Sequence, residues 1–128
     1  GTTMIQTIET TKAPAAIGPY SQAKACGGFL FTSGQIPCDP QSGEVVGSEI
    51  TAQAEQVMKN LAAVLAAGGS GFESVVKTTC FLADMEDFTA FNTVYSKYFV
   101  TKPARSCVAV RELPKSLLCE IEVIAACK

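Results

Sequence analysis

With 128 residues, 48% of them apolar and 17% charged, the chain has the length of one domain, residues 1–128, and enough apolar content for its own core. It contains no histidine, which excludes Ser–His–Asp and Cys–His catalysis and removes the commonest metal ligand. A net charge of −2 with no basic run disfavours nucleic acid as a partner, and no apolar run reaches the roughly 18–20 residues of a membrane span.

Residues 4–10 alternate in polarity and read as a weak strand. Gly1–Gln6 lacks the basic start and apolar stretch of a signal peptide, so a cytoplasmic location is expected. Residues 12–20 carry Pro14, Gly18 and Pro19 and form a loop. Two short strands, 21–26 and 29–33, flank Gly27-Gly28 as a β-hairpin. Residues 34–47 hold Pro37, Pro40, Gly43 and Gly47, and form a long irregular loop.

Residues 50–67 are the clearest helix: Ile50, Ala54, Val57, Leu61, Val64 and Leu65 make one apolar stripe, Ser48 is the expected N-cap and Gly68-Gly69 the stop. A β-branched run at 74–82 reads as a strand, and 84–99 as a second helix capped by Asp84. Its stripe of Phe88, Phe91, Tyr95, Tyr98 and Phe99 reads as core. Residues 105–110 and 117–127 give two further strands. Six strands and two amphipathic helices predict an α+β fold in two layers, a mixed six-stranded sheet with both helices on one face. The strand–helix–strand unit at 74–110 predicts parallel neighbours. The other sheet face, expected to carry Leu, Val, Cys and Ala, is then left for contact with other subunits.

Six cysteines occur without C-x-x-C spacing, which speaks against zinc; they are expected to be reduced thiols. Gly68–Gly71 follows a helix and lacks the Lys of a phosphate loop. Arg105, at a strand start beside neutral residues, can offer a planar fork to a carboxylate or serve a structural ion pair. Arg111 adjoins Glu112 as a solvated pair. Glu120 and Glu122 point away from Cys119, Ile121 and Val123, either to solvent along an edge strand or to a pocket that holds a water. Ser33 and Gly34 close a strand, and Tyr20 offers a phenol at a strand entrance.

Several segments together resemble one family. They are Ala13 to Ala23, Thr32-Ser33-Gly34-Gln35-Ile36-Pro37, Pro103-Ala104-Arg105-Ser106-Cys107-Val108, Leu113-Pro114-Lys115 and Cys119 to Ala125. In this order they resemble the Rid proteins, reactive-intermediate deaminases also called YjgF or L-PSP. The resemblance implies a chorismate-mutase-like subunit in a homotrimer with sites between subunits. It implies hydrolysis of 2-enamine and 2-imine intermediates, such as 2-iminobutanoate and 2-iminopropanoate, to 2-oxo acids and ammonia, with no cofactor and no metal. It assigns Arg105 to the substrate carboxylate, Tyr20 to the pocket, and Ser33, Gly34 and Asn92 to polar contacts. Cys107, through its backbone, and Glu120 bracket the attacking water. The alternatives within the resemblance are a ligand-binding regulator, a chaperone-like protein, and an endoribonuclease that inhibits translation.

Overall fold

The computed structural model describes residues 4–128. Its elements run β1 (Gln6–Ile8), β2 (Ala23–Cys26), β3 (Phe29–Thr32), α1 (Ile50–Ala67), β4 (Val75–Leu82), α2 (Phe88–Tyr98), β5 (Ala104–Ala109) and β6 (Cys119–Ala126). The six strands form one sheet in the order β1-β2-β3-β6-β4-β5, with β4 and β5 parallel and every other pairing antiparallel. This is the expected α+β arrangement, a mixed sheet carrying two helices.

The hairpin turn between β2 and β3 is made by Gly27 and Gly28, with φ of 61° and 84°. Two consecutive left-handed residues match the twist of the strands they join, and only glycine adopts them without a steric cost. In β6 the alternation is complete: Cys119, Ile121, Val123 and Ala125 are buried and the residues between them half-buried. The buried set shares the helix side with Thr78, Cys80 and Leu82 of β4 and Leu30 of β3.

The whole predicted stripe of α1 is buried, and Met58 joins it. Its N-cap is Glu49, not Ser48: the Glu49 carboxylate accepts from the backbone N–H of Ala52 at 2.9 Å and Thr51 at 3.3 Å. A longer acidic side chain reaches the orphan donors of the first turn and also meets the positive end of the helix dipole. Asp84 caps a 3-10 turn, Met85–Asp87, that leads into α2, accepting from Glu86 N–H at 2.9 Å. Of the α2 stripe, Phe91, Tyr95 and Phe99 are buried and Phe88 and Tyr98 half-buried.

Buried polar side chains fasten the loops to this frame. Asn60 of α1, fully buried, donates from Nδ2 to the carbonyls of Ile36 at 2.8 Å and Cys38 at 3.0 Å. Gln22 accepts from Thr10 N–H at 2.7 Å and donates to the Pro14 carbonyl at 2.8 Å. Gln53 accepts from Leu118 N–H at 2.9 Å and donates to the Gly47 carbonyl at 3.1 Å. Each contact gives a loop or loop-end backbone group a partner from a buried side chain.

β6 lies in the interior of the sheet, so Glu120 and Glu122 do not sit on an edge strand. The edges are β1 and β5. The open face carries the expected Val, Cys and Ala as Val108, Cys26, Ala104 and Ala126, but Phe29, Phe31, Phe81 and Ile124 stand there in place of the expected Leu. Phe29, Phe31 and Val108 are 43%, 44% and 47% exposed.

Candidate functional site

The residues singled out in the sequence fall into two groups on opposite faces of the sheet. Arg105 pairs in register with Thr78, and Cys107 with Cys80, so both point to the helix side of edge strand β5. Glu120 pairs with Phe81 and Glu122 with Thr79, on the open side.

The first group is built around Arg105. Its Nη1 donates to Asn92 Oδ1 of α2 at 2.6 Å. The guanidinium carbon lies 4.6 Å from the centre of the Tyr95 ring and 5.5 Å from that of Phe88. Among the described residues no carboxylate forms an ion pair with it. A half-buried guanidinium on aromatic faces, without a carboxylate partner, keeps donors available to an anion brought from outside. The Cys107 thiol is half-buried beside it; burial pushes its pKa up, partly offset by the nearby Arg105 charge. Cys80, deeper in the core, is pushed up to about 12, chiefly by burial. Neither thiol is ionised near neutrality. A strand paired on one side only keeps alternate N–H and C=O groups free for a ligand.

The second group lines a cavity of about 740 Å³. Tyr20, Ser33, Gly34, Glu120 and Glu122 contribute to its wall, and Pro14, Ile17, Ile36, Pro40 and Pro114 give it an apolar lining. Lys115 and Asp39 stand in the same wall. Glu120 has its pKa raised, first by burial and then by the like charge of Glu122. Gly34 matters for its neighbour rather than for its backbone angles: a Cβ there would land on the Glu120 carboxylate and displace that side chain. Ser33 Oγ donates to the Ser21 carbonyl at 2.5 Å, so its hydroxyl ties the β3 end to the 10–22 loop while the residue lines the cavity. Tyr20 is 53% exposed.

None of Arg105, Asn92 and Cys107 reaches that cavity. Sequence reasoning did not identify Tyr95 as a partner of Arg105, nor Gln22 and Asn60 as the residues that hold the cavity loops. For Tyr95 the signal was hidden in a helical stripe that reads equally as core. For Gln22 and Asn60 it was a lone amide next to an apolar run, too weak to separate from a surface residue.

Residues 10–127 match the family described as Endoribonuclease L-PSP. The Lactococcus lactis protein AldR, described as a regulator, is 57% identical over 122 residues that cover 94% of this chain and 97% of that one. The 2-iminobutanoate/2-iminopropanoate deaminase of Salmonella typhimurium is 47% identical over 126 residues, covering 95% of this chain and 98% of its own. The crystal structure of Escherichia coli TdcF with bound serine superposes with a TM-score of 0.90 at 42% identity, covering 96% of this chain and 99% of that one. Matched along nearly its whole length in sequence and in fold, this chain belongs to the L-PSP family, the Rid or YjgF proteins.

Proposed function

We propose that the chain is a 2-imino acid deaminase that converts imines such as 2-iminobutanoate and 2-iminopropanoate to 2-oxo acids and ammonia. The observation that carries this reading is the unpaired Arg105 fork at an open sheet edge, in a chain 47% identical to an enzyme named for that reaction. The substrate, R–C(=NH2+)–COO−, presents a carboxylate for the Arg105 donors. Water adds to the iminium carbon, which is already electrophilic, and a proton moves to the nitrogen. The carbinolamine then collapses to R–CO–COO− and ammonium. Holding the carboxylate and one water in line supplies most of what this reaction needs. Glu120, with its raised pKa, is suited to take the proton from water and return it to the leaving nitrogen.

Arg105 and Glu120 face opposite sides of one sheet, so the reading includes a second copy of the chain. In a homotrimer, Arg105, Asn92 and Cys107 of one subunit would close the cavity lined by Tyr20, Ser33, Gly34 and Glu120 of its neighbour. The exposed Phe29, Phe31 and Val108 give the open face the apolar character of a subunit contact.

A regulator that binds 2-oxo acids without turnover is the second reading, favoured by the likeness to AldR. Ribonuclease chemistry has less support: histidine is absent, and the cavity wall sets Asp39, Glu120 and Glu122 against the single cation Lys115, a poor match for phosphates. The test is a coupled assay in which a pyridoxal-phosphate dehydratase generates the imine. Wild type should speed its loss, and Arg105→Ala should lower kcat/KM by about 100-fold, the equivalent of losing two charge-assisted hydrogen bonds. Binding of 2-oxobutanoate with no acceleration would favour the regulator instead.

A further inference from the structure

The Arg105 side chain is gripped by its own subunit, and the grip leaves one edge of the guanidinium free. Nη1 is committed to Asn92 Oδ1. The guanidinium carbon lies over the Tyr95 ring, 4.6 Å from its centre, with the Phe88 ring further out at 5.5 Å. Nε and Nη2 have no hydrogen-bond partner among the described residues, and they are the parallel pair of donors that matches the two oxygens of a carboxylate.

Tyr95 is itself packed and hydrogen-bonded. It is 8% exposed, and its hydroxyl lies 2.8 Å from Thr78 Oγ1, a fully buried group and the cross-strand neighbour of Arg105. Its ring packs at 4.3 Å from Phe99 and 6.0 Å from Phe91. The platform beneath the guanidinium is therefore bolted both to the sheet and to the core of α2. An arginine that is free to sample its rotamers must be ordered by each ligand it binds, at a cost in affinity.

We propose that Tyr95 is a positioning residue for carboxylate recognition: its ring, with Asn92 holding Nη1, sets the plane of Arg105 so that the Nε–Nη2 edge faces the substrate. This rests on the reading of Arg105 as the carboxylate receptor. It also changes the part played by Asn92, whose Oδ1 serves the arginine and whose Nδ2 alone remains for a ligand.

The experiment compares wild type with Tyr95→Phe and Tyr95→Leu. It measures kcat and KM for 2-iminobutanoate, Kd for the product 2-oxobutanoate, and the exchange of the Arg105 guanidinium protons by NMR on arginine-labelled protein. Wild type should show slowed guanidinium rotation. Tyr95→Phe keeps the ring and should stay within about threefold of wild type in KM and Kd. Tyr95→Leu should raise KM and Kd together by about tenfold, leave kcat within about threefold, and free the guanidinium rotation. A folded Tyr95→Leu protein with wild-type KM and Kd would overturn the proposal. So would fast guanidinium rotation in the wild type, a result that requires no variant to fold. A wild type that binds 2-oxobutanoate with a slowed guanidinium, yet turns over no imine, would sink the deaminase reading while supporting the role of Tyr95.

Discussion

Glu120, the proposed proton carrier, sits where a carboxylate costs stability. Burial and Glu122 both favour its protonated form, so its folded pKa lies above its unfolded value. Between those two values the folded state binds more protons than the unfolded state, and stability falls as pH rises through that window. Glu120→Gln removes the carboxylate. Its thermal midpoint should exceed that of wild type at pH 7, the gap should close below about pH 4, where both states of wild type are protonated, and imine hydrolysis should be lost. Calorimetry across pH reads the first two outcomes. A variant less stable than wild type at pH 7 would show that the carboxylate has a compensating partner. The sequence pattern placed Glu120 opposite the buried set of β6, and the structure keeps it there. What the pattern could not supply was the Gly34 contact, since 86 positions of chain separate the two residues and only the sheet brings them together.

At the scale of elements, both helices and all six strands were legible, because each carries a periodicity of its own. Strand order was not. Glu120 and Glu122 looked compatible with an edge strand because they interrupt the apolar pattern of the final strand, whereas the pairing of β6 with both β3 and β4 puts it inside the sheet. Pairing is a long-range property that no local pattern encodes. The irregular segment from Gly34 to Gly47 was correctly read as a loop, but its anchoring was not visible. Asn60 on α1 ties it down by bonding the carbonyls of Ile36 and Cys38 beside the cavity. Asn60→Ala strands two carbonyls and should cost about 1–3 kcal/mol in denaturant unfolding. Amide exchange within residues 36–46 should rise with it. If exchange there is unchanged, the loop is held by its own turns, such as the Asp39 carboxylate that accepts from Gln41 and Ser42 N–H.

The whole molecule holds the two halves of the candidate site apart, with Arg105 on one side of the sheet and Glu120 on the other. A surplus of apolar residues hinted at subunit contacts, but the aromatic character of the open face emerged only from the strand register. Mixing two inactive proteins tests whether sites are shared. Arg105→Ala supplies an intact Glu120 and Glu120→Gln an intact Arg105. After unfolding and refolding together in equal amounts, about a quarter of the sites should combine an intact arginine with an intact glutamate, and activity should return in proportion. A mixture as inactive as its components would rule out a composite site.

Strand β5 puts a second burden on the same geometry. Its outer edge is unpaired, Arg105 and Cys107 sit on it, and Val108 lies exposed beside them. An open edge next to an apolar face is a template for uncontrolled strand addition, and proteins usually blunt such edges with a bulge, a proline or an inward charge. A bulge or proline at Arg105 or Cys107 would displace the groups proposed to meet the ligand. Under the proposed composite site a second subunit would cover this edge, and a subunit that stays alone would be exposed to aggregation as well as idle.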